Sequence, residues 1–112
     1  MKAPILNRAL ILETPDRIPD GAGGFKTIWT ALGLHWAHVD ARSAGQITGA
    51  ASAVSRVKMR ITVRAAPMGA ASRPKPEQRF REGSRIFQIE AVSDADSDGR
   101  YLICYVSEEV SV

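Results

Sequence analysis

The chain has 112 residues, enough for one domain and too few for two. Hydrophobic residues make up 45% and aromatics 6%, so a real but mostly aliphatic core is available and wholesale disorder is excluded. The net charge is +3, the single cysteine leaves no internal disulfide, and no apolar run approaches the roughly 18 residues of a membrane span.

The N-terminal segment MKAPILNRALILETPD has a short apolar run broken by Arg8 and lacks the pattern of a signal peptide. A soluble protein made in the cytoplasm is expected. Residues 7–13 read as a first strand, and TPDRIPDGAGG as a loop punctuated by two prolines and three glycines. Residues 25–41 are rich in β-branched and aromatic side chains. They read as a strand or bent strand pair, with Gly33 allowing a bend or bulge. Trp36 and His38 share one face there, Ala37 and Val39 the other. Residues 43–54 are small and polar. Ser43 offers a helix cap, but Gly45 and Gly49 each cost a helix about 1 kcal/mol. A short helix or a mobile arm is expected.

The most informative stretch follows. Arg56, Lys58, Arg60, Thr62 and Arg64 alternate with Val57, Met59, Ile61, Val63 and Ala65. Period two makes this one strand with an apolar and a cationic face. A solvated row of like charges is costly unless something negative faces it. Residues 66–78 hold three prolines and read as a long flexible loop. Residues 85–92 alternate as a strand with Phe87, Ile89 and Ala91 inward, and SDADSDGR makes a polar turn. Tyr101–Val106 is a strand apolar on both faces, which fits a central position or a second buried surface at a subunit contact. The whole reads as an all-β domain over 1–112: a small barrel or sandwich of five to six strands, at most one short helix, and flexible segments at 41–55 and 66–78.

Charge is divided along the chain. Residues 56–85 hold nine basic against two acidic side chains, a balance of +7; residues 86–112 hold one against six, a balance of −5. Either the two blocks pair inside one monomer, or the basic block of one copy faces the acidic block of the next and closes a ring.

Sites for chemistry are few. Asp94, Asp96, Asp98 and Gly99 match the opening of a calcium loop, but its twelfth position is Tyr105 where a bidentate glutamate is required. A solvated turn is expected. His35 and His38 point to opposite faces of a strand and cannot easily share a metal. Gly21–Gly24 lacks the lysine and helix of a phosphate loop. Cys104 lies in an apolar strand, where a thiol is inert packing. No serine, histidine and acid set stands out. No enzyme, cofactor or metal site is expected.

The order of motifs carries more than any one of them. Asp20-Gly21-Ala22-Gly23-Gly24 precedes Trp29 and Trp36-Ala37-His38-Val39. After a small-residue segment comes the R-x-K-x-R-I-T-V-R strand. Arg85-Ile86-Phe87-Gln88-Ile89, an Asp-rich turn, Leu102-Ile103-Cys104 and Glu108 close the series. From about Leu10 to Glu109 this resembles the head–tail joining, or head-closure (stopper), proteins of tailed phages and phage-like particles. The resemblance implies a small β-barrel forming a ring of six or twelve copies. That ring would lie between portal and adaptor proteins above and tail proteins below. It would help close the head and retain its DNA. It also implies a protein of the host cytoplasm during assembly, then of the particle neck, with no membrane partner. The segment after the W-A-x-V strand, here 41–55, is in that family a candidate for approaching the channel axis; here it is richer in Ala, Gly and Ser than expected. The loop 66–78 is an equal candidate for a ring-to-ring contact.

Expected subunit contacts are therefore Arg56, Lys58, Arg60, Arg64, Tyr101, Ile103 and Tyr105. Contacts to passing double-stranded DNA, without base readout, fall to Arg42, Arg73 and Lys75. The rivals are an OB-type nucleic-acid binder, with the basic row tracking phosphates, and another neck ring such as a tail terminator. A single-strand binder needs aromatics on its basic face, and this strand carries none.

Overall fold

The computed structural model describes residues 3–46 and 54–111 and, within them, the side chains of all but 42–46, 54 and 111. Six strands form: β1 (Arg8–Pro19), β2 (Phe25–Gln46), β3 (Val54–Arg64), β4 (Arg79–Glu82), β5 (Arg85–Asp94) and β6 (Tyr101–Ser111). All pairs are antiparallel, and the sheet closes as a barrel in the order β1-β2-β3-β6-β5-β4. No helix occurs among the described residues. Closure leaves the barrel body without a free edge.

The first hairpin is longer than its prolines imply. β1 continues through Thr14, Pro15 and Pro19, where the sequence reads as loop. The reason is positional. β4 pairs with β1 only from Ile11 to Glu13, so residues 14–19 bond to β2 alone and the prolines remove no needed donor. β3 joins β2 only from Ala37 onward. Residues 14–19 and 25–30 therefore leave the barrel as a two-stranded ribbon. Its turn is held by the Asp20 carboxylate, which accepts the Ala22 and Gly24 N–H groups at 2.8 and 3.0 Å. A Cβ on Gly24 would sit 2.7 Å from that carboxylate. The bulge expected at Gly33 is present: Leu12 faces Gly33 while Glu13 faces Ala31, and Gly33 holds φ at +138°.

The short helix expected over 43–54 gives way to strand at both ends. β2 runs to Gln46, and Ala44 and Gly45 face Val57 and Arg56. A partner strand satisfies this backbone, which Gly45 would weaken as a helix. Residues 47–53 lie outside the described residues.

Alternation fills the barrel. β3 turns Met59, Ile61 and Val63 inward, β6 Leu102, Cys104 and Val106, and β1 Leu10 and Leu12. Phe80 and Phe87, facing each other across β4 and β5, are the largest buried side chains. His35 packs edge-on against Phe80 with ring centroids 5.9 Å apart. One inward assignment fails. Ala91 is exposed and Val92 packs on the core, because a register shift between Ile89 and Ala91 inserts Glu90 and reverses the alternation. Segment 66–78 is built of turns, with the Ala70 N–H on the Pro67 carbonyl and the Arg73 N–H on the Ala70 carbonyl, both at 3.0 Å. Pro74 is fully buried, and the Ile89 N–H donates to the Gln78 carbonyl, tying the segment to β5.

Candidate functional site

The charged groups of this barrel lie on its outer wall, at one mouth and at the base of the ribbon. On the outer face of β3 the cationic row finds its countercharge within the same chain. Arg56 donates to Glu109 at 2.8 Å, Lys58 to Glu90 at 2.8 Å and Arg60 to Asp40 at 3.0 Å. The register explains this: Arg56 faces Glu109 across β6, and Arg60 faces Asp40 across β2. The basic and acidic blocks thus meet inside one monomer. These pairs are exposed, so each is worth about 0–1 kcal/mol and leaves its charges open to other partners. Arg64, the last of the row, is exposed and makes no ion pair among the described residues.

Inward charges close one barrel mouth. Arg8 grips the Glu82 carboxylate through Nε at 3.0 Å and a second donor. Arg85 lies 3.9 Å from Glu82 and makes a two-pronged bond to Glu108 at 2.8 and 2.9 Å. Glu108 is buried. The Arg8 hydrogen bond holds the Glu82 carboxyl below its ordinary range. Arg8–Glu82–Arg85–Glu108 is a continuous chain of charges at this mouth, and the buried Glu108 is paired within it.

A third cluster anchors the ribbon. Glu13 is buried and accepts Nε of Arg79 at 2.7 Å and Nε of Arg81 at 2.9 Å. Burial pushes its carboxyl up, and the two guanidinium hydrogen bonds outweigh this, so it lies below its ordinary value. The Arg79 guanidinium also covers the Trp29 ring at 4.0 Å, and Arg17 covers Phe25 at 4.7 Å. Beyond this the ribbon leaves Phe25 and Ile28 exposed, and the adjoining wall of β2 exposes Leu34 and Trp36.

Other expected positions are distributed as follows. Tyr101, Ile103 and Tyr105 are outward and half-buried on β6, while Leu102, Cys104 and Val106 form its core face. Strand 101–106 is thus apolar on both faces because one face is core and the other is outer wall. Burial raises the Cys104 thiol to about 12. Arg73 is half-buried and donates to the Ala66 carbonyl at 2.9 Å. With Lys75, Met68 and Gln78 it lines a cavity of about 370 Å³ against Thr14 and Leu32 at the base of the ribbon. The side chain of Arg42 lies outside the described residues. Asp96 accepts the Arg100 N–H at 3.0 Å and Nε at 3.1 Å, and among the described residues no three candidate metal ligands gather. His35 loses affinity for a proton mainly through burial, and His38 faces outward.

Two features escaped the sequence reading. β4 is four residues, RFRE, with one apolar side chain, too short and charged to read as a strand. Trp36 was legible as sharing one strand face with His38, though not, with Leu34, as a surface left uncovered.

A chain in the solved virion of a native gene transfer agent particle is 51% identical and superposes with a TM-score of 0.88, over 98% of this chain and 100% of that one. No curated protein matches the sequence. The family model for phage head completion proteins matches residues 1–109. The match spans the whole barrel, so this chain belongs to the phage head completion protein family.

Proposed function

We propose that this chain is a structural neck protein. It forms a ring between the portal and adaptor of a phage-like head and the tail, and it helps close the head and hold packaged DNA. The observation that carries this is the combination of family membership over residues 1–109 with 51% identity to a chain of a gene transfer agent virion. The role is mechanical and not enzymatic. It needs a rigid scaffold, which a closed barrel with one ion-paired mouth supplies. Its partners are further copies of itself, six or twelve to the ring, and the neck proteins on either side. Double-stranded DNA passes without sequence preference. The protein is made in the host cytoplasm and ends in the particle neck.

The chain-internal pairing of Arg56, Lys58 and Arg60 weakens the OB-type alternative. Three of four cations in the row already hold carboxylates, which compete with phosphates. The test is deletion of the gene. Heads purified from the deletion strain are expected to be tailless and to have lost DNA. Tailed, DNA-filled particles in normal yield would overturn the proposal.

A further inference from the structure

Two features at opposite ends of the β3 row fit each other better than they fit solvent. The first is a knob. Ala37 and Val63 face each other with side chains inward, so Trp36 and Arg64, one residue beyond on adjacent strands, project outward together. Trp36 is 56% exposed and Leu34 beside it 51%. Arg64 is the one cation of the β3 row with no ion pair among the described residues. An exposed tryptophan next to an unpaired arginine is the composition of an interface centre.

The second is a groove. Pairing of β5 with β6 stops at Gln88 and Ser107. Beyond it β5 follows β4, while β6 continues beside β3 to Ser111. The split leaves a hollow of about 460 Å³ with Ile86 and Gln88 on one side, and Arg56, Glu90 and Glu109 around it. Among the described residues Glu90 and Glu109 are held by exposed pairs alone, with side chains 43% and 65% accessible. The Arg56 Nε is buried here with no acceptor among the described residues. The groove therefore offers an apolar side, two carboxylates and one unfilled donor.

We infer that the Trp36–Arg64 knob of one copy seats in the Ile86–Glu90–Glu109 groove of the next copy. The indole would lie on Ile86, and Arg64 would share the groove carboxylates. The inference rests on the ring proposed above and names its contact. The occupant is a second copy because charge and polarity complement each other: the cation lacking a partner meets loosely held anions, and both halves lie on this one chain. Arg64 in the knob and Arg56 in the groove are eight residues apart along β3, about 26 Å at the rise of a strand, so one copy cannot join its own. A contact between two different patches is head-to-tail and repeats until it closes.

The test uses whole particles carrying Trp36→Cys together with Gln88→Cys. Cys104 is retained, because it is buried. After mild oxidation, non-reducing electrophoresis is expected to show a ladder of covalent multimers of this chain. Each single variant is expected to give none. Quantitative mass spectrometry of the same particles reports copies per particle. Several copies without a ladder would overturn the knob-in-groove contact and leave the ring standing. One copy per particle would remove the ring and this contact together. A dimer from Trp36→Cys alone, or a cross-link from it to another particle protein, would also overturn the inference, since the knob would then face its twin or a neighbouring ring.

Discussion

The Arg79 guanidinium lies 4.0 Å over the Trp29 ring. Trp29 belongs to the ribbon that leaves the barrel, and Arg79 begins β4. The contact therefore crosses from ribbon to barrel, and Glu13 holds Arg79 in place from the other side. A two-stranded ribbon is marginal in water by itself. Arg79→Ala removes the stacking and one of two donors to a buried carboxylate. It is expected to lower the unfolding free energy by about 1–3 kcal/mol, read from urea denaturation. A change below about 0.5 kcal/mol, the ordinary size for surface substitutions, would show that the ribbon is anchored elsewhere.

Acid should unfold the protein through its paired carboxylates. Glu13 and Glu82 both lie below the ordinary 4.5 in the folded chain. A carboxyl depressed by folding adds stability above its unfolded value, and that stability disappears as pH falls through the folded one. Melting temperature is thus expected to hold near neutral pH and to drop once pH passes below about 4.5. Glu13→Gln should start lower and fall less steeply. Parallel curves for the two proteins would show that Glu13 contributes nothing to acid sensitivity.

Phe80 is the sharpest probe of the core. It is fully buried, faces Phe87 and receives the edge of His35. Phe80→Ala leaves a cavity beneath a four-residue strand whose one apolar side chain it is, and should cost about 3–5 kcal/mol. Phe80→Leu should recover much of that. Equal loss for both would point to lost aromatic contact rather than lost volume.

Much of this fold was legible because alternation is strict wherever a strand is paired on both sides. β3 and β6 are bordered by strands over most of their length, and their inward residues matched the pattern. Legibility failed where one neighbour ends. Pro15 and Pro19 read as breakers, yet they lie where β4 no longer reaches. Ala91 was misplaced because Glu90 adds one residue against β6. Pairing of the basic row with Asp40, Glu90 and Glu109 depends on register across several strands, which local pattern does not encode. Arg73 looks free in sequence because its partner, the Ala66 carbonyl, is backbone.

Cys104 should be silent in the native protein. Its thiol is buried and pushed to about 12, so almost no thiolate exists at neutral pH. A colorimetric thiol reagent at a pH of about 8, near the ordinary thiol value, is expected to react only after denaturant is added. Prompt reaction of one thiol per native chain would mean that the barrel opens far more readily than its packing implies.

The basic row gives the last prediction. Arg56, Lys58 and Arg60 hold exposed partners within the chain. Alanine at any one of them should therefore change stability by less than about 1 kcal/mol. Arg60→Glu with Arg64→Glu acts differently. The carboxylate introduced at position 60 would face Asp40, and the one at position 64 would stand beside Trp36 where the unpaired cation was. The folded barrel should survive, since both side chains are outside the core. If the row and its flank face another protein, particles made with the double variant should lack a complete neck. If instead the row faces DNA, necks should assemble in full while heads leak DNA, because the loss of two cationic phosphate contacts weakens retention without touching the ring. Electron microscopy of the neck, paired with a nuclease-protection assay on the same particles, separates the two. A missing neck is the expected result. A complete neck with unprotected DNA would place the row on the channel wall.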